Sequence, residues 1–200
     1  MGVLFMKTKK GFSLVEMIVV LAIIGILLAV LVPTWSYFIM RANVRSQNNY
    51  SKVIFNAAQT QATREKFYER EYYSIANDTD KTITERNNAK ANLFVGANED
   101  FYIYWNGHKA FLLEADGETI DTAVTADTQA KVDAFANSVN KVFSHSQETV
   151  YKIYIKDYKV ISVCSAKSEN TENIGSFPKI QEGRSSNKTV QTYDMDSIKH

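Results

Sequence analysis

The apolar positions along the chain change their period several times, and each change marks an element. From Met17 to Met40 there are 24 residues without a formal charge, almost all of them apolar. As a helix rising about 1.5 Å per residue, this run reaches roughly 36 Å, more than the ~30 Å hydrocarbon core of a bilayer. From Asn43 to Glu71 there is neither Gly nor Pro, and Tyr50, Val53, Ile54, Ala57, Ala58 and Gln61 fall at helical spacing among Asn, Gln, Lys and Arg. The pattern predicts that the helix continues as an amphipathic stem whose stripe needs a partner. Asn77 to Asn92 is polar throughout and reads as a connecting loop with room for a short helical piece.

The period then falls to two. In FYIYWNGHKAFLLEADG, Phe101, Ile103 and Trp105 alternate with Tyr102 and Tyr104 ahead of Asn106-Gly107, the strongest two-residue hairpin signal. In TVYKIYIKDYKVISVCS, Tyr151, Ile153 and Ile155 alternate with Lys152 and Tyr154, a turn falls near Lys156-Asp157, and Val160 to Cys164 returns. Between the hairpins Val132, Phe135, Val139, Val142 and Phe143 share one helical face, with Thr125 or Asp127 as N-cap. After Ala166 the chain is rich in Ser, Asn, Thr, Glu and Lys, which predicts a mobile or peripheral tail that Phe177 and Ile180 would anchor. The fold class is therefore α+β. A long N-terminal helix, half membrane span and half amphipathic stem, packs on a small antiparallel sheet of two hairpins with one intervening helix.

Charge changes the picture at one end. The spanning run is flanked by Lys7, Lys9 and Lys10 before it and by Arg41 and Arg45 after it, so the positive-inside rule favours a cytoplasmic N-terminus only weakly. A cleavable secretory signal has an apolar core of roughly 7 to 15 residues and a small-residue cut site. This run is too long and ends in VLVPTWSYF. A plain single-pass anchor explains the length, yet it gives no reason for a carboxylate, Glu16, at the edge of the run, beyond an interfacial Glu that reaches the headgroups.

Lys9-Lys10-Gly11, then Phe12-Ser13-Leu14-Val15-Glu16-Met17 and an apolar helix, resembles the class III leader of type IV pilins and pseudopilins. The resemblance covers about the first quarter of the chain. It implies that a membrane-bound prepilin peptidase cuts after Gly11, that Phe12 becomes the N-methylated first residue, and that Glu16 is the fifth residue of the mature chain and acts in assembly. Met6 as the start would leave this cut unchanged. Gly25 and Pro33 also fall where many members of the family carry Gly and Pro. Two readings of them stay open: ordinary membrane-helix residues, or points where the segment loosens as subunits pack into a fibre.

On this reading residues 1–11 are a cleaved basic leader, 12–72 the long helix with about 17–40 transmembrane, 73–165 the globular α+β domain and 166–200 the polar tail. The implied function is that of a structural subunit of a type IV pilus or pseudopilus, and the alternative is a single-pass anchored ectodomain with an unrelated binding or enzymatic role. The implied partners are other pilin subunits in a homo- or hetero-polymer, the prepilin peptidase, the assembly machinery and the membrane. The implied location is the cytoplasmic membrane, with the C-terminal domain outside, and then the pilus or cell surface. Adhesion, twitching, secretion and DNA uptake all use such an N-terminal helix.

Candidate chemistry elsewhere is sparse, and the chain does not read as an enzyme. His108 falls in a hairpin turn, His145 after a helix and His200 at the end of the sequence, and none has a His-x-x-x-His partner for a metal. Cys164 is the only cysteine, so no intrachain disulfide forms, and it reads as a buried structural thiol. Asn77-Asp78-Thr79-Asp80 lacks the glycine and terminal glutamate of a standard calcium loop and reads as a solvated turn. No catalytic residue, cofactor or metal is implied. Removal of Lys7, Lys9 and Lys10 leaves 20 basic residues against 22 acidic, a net of −2, with no phosphate-binding stripe for nucleic acid.

Overall fold

A computed structural model of the chain describes residues 11–95, 100–185 and 189–198. The first helix, α1, runs Leu14–Tyr68, and the chain divides within it into two units, one ending at Ile39 and one beginning at Met40. In the first unit no helical residue up to Ile39 is buried. The helix passes through Pro33, which has no N–H to offer the Ala29 carbonyl, and the Thr34 hydroxyl donates to the Val30 carbonyl at 2.9 Å.

The second unit contains the stem of α1, then α2 (Arg70–Asn77), α3 (Ile83–Asn92), β1 (Asp100–Trp105), β2 (Ala110–Leu113), α4 (Ala126–Val142), β3 (Val150–Lys156), β4 (Lys159–Ala166) and β5 (Gly175–Phe177). The strands form one antiparallel sheet in the order β2-β1-β3-β4-β5. The long helix on an antiparallel sheet with an intervening helix is the α+β arrangement the pattern predicts.

Several details differ from that pattern. The helix stops at Tyr68 instead of running to residue 72, and no glycine or proline stops it. Glu69 leaves helical geometry, and its carboxylate accepts from the Phe94 N–H at 2.7 Å and from the Tyr158 hydroxyl. Burial raises the Glu69 pKa. The polar stretch to Asn92 is largely helical. Thr82 and Glu85 cap α3 reciprocally, a capping box that the sequence TITE spells out. Asn106 and Gly107 do turn the first hairpin, with Gly107 at φ 96°, but the connection is four residues long because the Asn106 side chain takes the N–H groups of His108 and Lys109. The second hairpin turns on Asp157 and Tyr158, both at positive φ, one position later than expected. Thr125 caps α4, and Val142, expected on its buried face, is 66% exposed.

Both faces of the sheet are covered, and this explains the strands. Phe101, Ile103, Trp105, Tyr151, Ile153, Ile155 and Val163 pack against Ile54, Ala57, Ala58 and Ala62 of α1 and Val132, Phe135, Ala136 and Val139 of α4. The opposite face carries Tyr102, Tyr104, Tyr154 and Cys164, and its cover is Ile174, Val190, Tyr193, Met195 and Ile198. Residues 166–185 and 189–198 therefore do not form the peripheral tail expected from their composition. They supply a fifth strand and half of one core layer. Of the two expected anchors, Phe177 stacks edge-on against Phe55 of the stem at 4.9 Å, whereas Ile180 is exposed.

Polar atoms fix this last segment in place. Asn48 of the stem donates to the Gln181 carbonyl at 2.7 Å, and its amide oxygen accepts from the N–H groups of Ser176 and Gln181 at 2.8 and 3.2 Å. Ser51 and Ser165 share a buried hydrogen bond of 2.9 Å. Gly175 lies so near the stem that a Cβ there would fall 2.1 Å from the Gln47 carbonyl carbon. From the other face, the fully buried Lys152 ammonium donates to the carbonyls of Gly117, Gln191 and Tyr193 at 2.8, 2.7 and 2.5 Å. Loss of hydration lowers its pKa.

Candidate functional site

The residues singled out at the N-terminus lie together at the start of α1. Gly11 to Ser13 are non-helical, α1 begins at Leu14, and Phe12 is 80% exposed. Ser13 stands as N-cap and Glu16 as the third helical residue. The Glu16 carboxylate turns back and accepts from the Ser13 N–H at 2.8 Å, while the Ser13 carbonyl accepts from the Met17 N–H at 3.2 Å. One of the four donors that a helix start leaves unused is thereby satisfied, and the negative charge sits at the positive end of the helix dipole.

This contact answers part of the question that Glu16 raises. In the single chain the carboxylate is not stranded, because its own helix supplies a donor. The signal was present in the sequence as Ser13-x-x-Glu16 ahead of an apolar run, the form of a capping box. The contact uses one carboxylate oxygen and a neutral N–H, so it does not itself supply a counter-charge. Cutting after Gly11 would create an amine at Phe12, the residue next to Ser13 in the chain.

Farther along, a Cβ built on Gly25 meets no atom within 4 Å, and the same is true of Gly11. Among the described residues no contact therefore requires glycine at position 25. Pro33 interrupts the hydrogen-bond ladder in the same exposed half of α1. The expected basic leader lies, up to Lys10, outside the described residues, as does His200.

Among the described residues the remaining candidates lie apart from one another. His108 is exposed, and His145 is exposed with its ring stacked on Tyr50 at 5.2 Å. Cys164 is buried, and desolvation pushes its thiol up to about 12, which suits an inert core group. Asp78 accepts from the Asp80 N–H at 2.9 Å in a local turn. Among the described residues no three His, Cys, Asp or Glu side chains come together in a way that could hold a metal ion.

Comparison with known proteins addresses this same segment. Residues 6–32 match the family model described as the prokaryotic N-terminal methylation motif. A "Fimbrial protein" of Moraxella nonliquefaciens is 49% identical over 39 residues, which are 20% of this chain and 25% of that protein. The chain thus spans about a quarter of that curated relative. No solved structure matches the chain significantly. Gly11, Phe12, Ser13 and Glu16 all lie within the residues that match the N-terminal methylation motif.

Proposed function

We propose that this protein is a structural subunit of a type IV pilus or pseudopilus, made as a membrane-inserted prepilin, cut between Gly11 and Phe12, methylated on the Phe12 amine and assembled through α1. The reading is carried by one juxtaposition. An apolar helix with no buried residue in its first half begins one residue after the expected cut site's Phe12-Ser13 pair, with the Glu16 carboxylate at its first turn. The methylation motif and the fimbrial relative support it. Hydrolysis of the Gly11–Phe12 amide releases a cationic amine, and in an apolar environment that charge attracts a carboxylate far more strongly than in water. A neighbour's Glu16 is the partner that fixes docking register, because a shifted register leaves an unpaired charge in a low-dielectric layer. The uncut precursor has no such amine, so processing licenses assembly.

The Ser13 contact makes the test sharp. Glu16→Gln keeps an oxygen that accepts the Ser13 N–H but removes the charge, whereas Glu16→Ala removes both. Both variants are expected to insert in the membrane and to be absent from sheared filaments. If Glu16→Gln entered filaments like the wild type, capping would be the whole role of Glu16 and the charge pairing would be wrong. Intact mass of the membrane-extracted protein is expected to show a chain beginning at methylated Phe12. A chain beginning at Met1 that still polymerised would overturn the processing step.

A further inference from the structure

Two residues that the apolar period places in buried stripes are left uncovered: Val53 on the stem is 41% exposed and Val142 on α4 is 66% exposed. Both line the same feature. A groove of about 530 Å³ lies between the two helices, with Val53, Ala57, Thr60 and Arg64 contributed by α1 and Lys141 and Val142 by α4. Arg64 and Lys141 are exposed, and no carboxylate lines the groove among the described residues. An uncovered apolar floor is thus combined with positive charge.

The chain carries the opposite charge on a turn between β2 and α4. Residues 114–121 read EADGETID, four acids and no base. The Gly117 N–H donates to the Glu114 carbonyl at 2.9 Å, which makes Ala115 and Asp116 the tip, and the Glu114 N–H donates to the Thr119 carbonyl at 2.8 Å. The Asp116 carboxylate accepts from the N–H groups of Glu118 and Thr119 at 2.8 and 3.0 Å. The turn is therefore ordered before any partner arrives and loses little freedom on docking. Glu114, Ala115, Asp116 and Glu118 are all exposed, so a methyl group stands among carboxylates. Groove and turn belong to opposite faces of the sheet. The helices α1 and α4 cover one face, whereas Gly117 abuts the Tyr102 ring on the other, where an added Cβ would fall 3.0 Å away. The groove is therefore matched by the turn of a second copy, and because the two patches differ, such a contact repeats head to tail instead of closing a pair.

We propose that the α1–α4 groove is a docking site for the acidic 114–121 turn of a second copy, with Ala115 against Val53 and Val142 and with Glu114 and Glu118 facing Arg64 and Lys141. The charges set register and partner choice more than strength. The contact uses neither Glu16 nor the Phe12 amine, so its failure would leave the proposed processing and charge pairing untouched.

Cross-linking of the full chain in the membranes of cells that produce it tests the proposal, with Ala115→Cys and Val142→Cys combined and a short bismaleimide as reagent. Cys164 is buried and does not compete. The double variant is expected to give a ladder of multiples of the chain's own mass, and each single variant none. Arg64→Glu with Lys141→Glu should cut the ladder about tenfold through like-charge repulsion, and adding Glu114→Lys with Glu118→Lys should restore it. All four side chains are exposed, so the thermal midpoint should hold throughout. No ladder from the double variant, a dimer from Val142→Cys alone, indifference to the charge reversal, or no recovery in the fourfold swap would each overturn the proposal. Joining of Val142→Cys to a protein of another mass would overturn it too, and would assign the groove to a different partner.

Discussion

The two ends of this chain reverse the usual relation between composition and burial. Residues 14–39 are almost wholly apolar and entirely exposed, whereas residues 174–198 are polar by composition and supply Ile174, Val190, Tyr193, Met195 and Ile198 to a core. The first region is apolar because its cover comes from outside the chain, as lipid or as other copies of the helix in the reading proposed above. The second is held from within, and only a few of its side chains need to be apolar because hydrogen bonds to its backbone do the rest. Burial near the C-terminus is therefore specified by partners far away in sequence, Asn48 and Lys152 above all.

If that is right, the most damaging single change should be at Lys152. Lys152→Met keeps an apolar stem of similar length but leaves three carbonyls without the ammonium that gathers them. A loss of about 3 kcal/mol is expected, taking roughly 1 kcal/mol or more for each buried acceptor left unsatisfied. Thermal unfolding of the full chain checks it, with hydrogen exchange expected to speed up first at residues 189–198. Gly175→Ala comes next. The added Cβ collides with the backbone of Gln47 and Asn48, where no flexible side-chain end can swing away. Overpacking of this kind costs typically about 1–3 kcal/mol, and it should release β5 from the stem while leaving the membrane insertion of α1 unchanged.

These two positions also show where sequence reading reaches its limit. The apolar N-terminal run is legible from its length, and the stem, both hairpins and α4 because each repeats its period over enough residues to exclude the other template. As the polar member of an alternation, Lys152 implies one wet face. That assumption fails because the C-terminal segment covers the face, and this segment has no period to read: Ile174, Val190, Tyr193, Met195 and Ile198 sit at irregular spacing in loops and a single turn of 3₁₀ helix. The end of α1 was equally hidden, since Glu69 breaks it through contacts with Phe94 and Tyr158 that exist only in the folded chain. The α3 capping box and the Ser13–Glu16 contact had readable signatures. At the candidate site the motif Gly11-Phe12-Ser13-Leu14-Val15-Glu16 is plain in the sequence.

The covered faces also set the response to alkali. Desolvation raises the pKa of Tyr104, Tyr151, Tyr154 and Tyr158 above the ordinary value and takes Tyr193 and Cys164 to about 12. In the unfolded chain these tyrosines ionise near pH 10, so the folded form binds more protons above that point. Their contribution is complete below about pH 10 and is lost as pH rises toward and beyond 12. Lys152 works the other way, because its folded pKa is lowered and its unfavourable burial is relieved as pH approaches the free-lysine value. With five tyrosines against one lysine, the net expectation is a fall in stability above about pH 10. It should be visible as a loss of near-ultraviolet dichroism as pH rises above that point, and dichroism unchanged up to about pH 12 would mean that these side chains are not held in their folded environment by the covers.

The smallest effect on the lone chain, and the one that separates the two regions most cleanly, is expected at Gly25. A methyl group there meets nothing within 4 Å, in contrast to Gly175, where it meets backbone at once. Alanine also favours a helix over glycine by about 1 kcal/mol, so Gly25→Ala should leave the extracted protein as stable as the wild type or slightly more so. Any defect must then arise between chains, either because helices approach closely at that point or because the helix must loosen there on packing. Filament yield distinguishes the cases when Gly25→Ala is set beside Gly25→Ser. Serine is nearly as small as alanine but a poorer helix former, so a loss with both indicates close approach, while recovery with serine indicates a requirement for a weakened helix. Wild-type yield with both would mean that neither copies nor lipid use this position, and that glycine here is incidental to an apolar span.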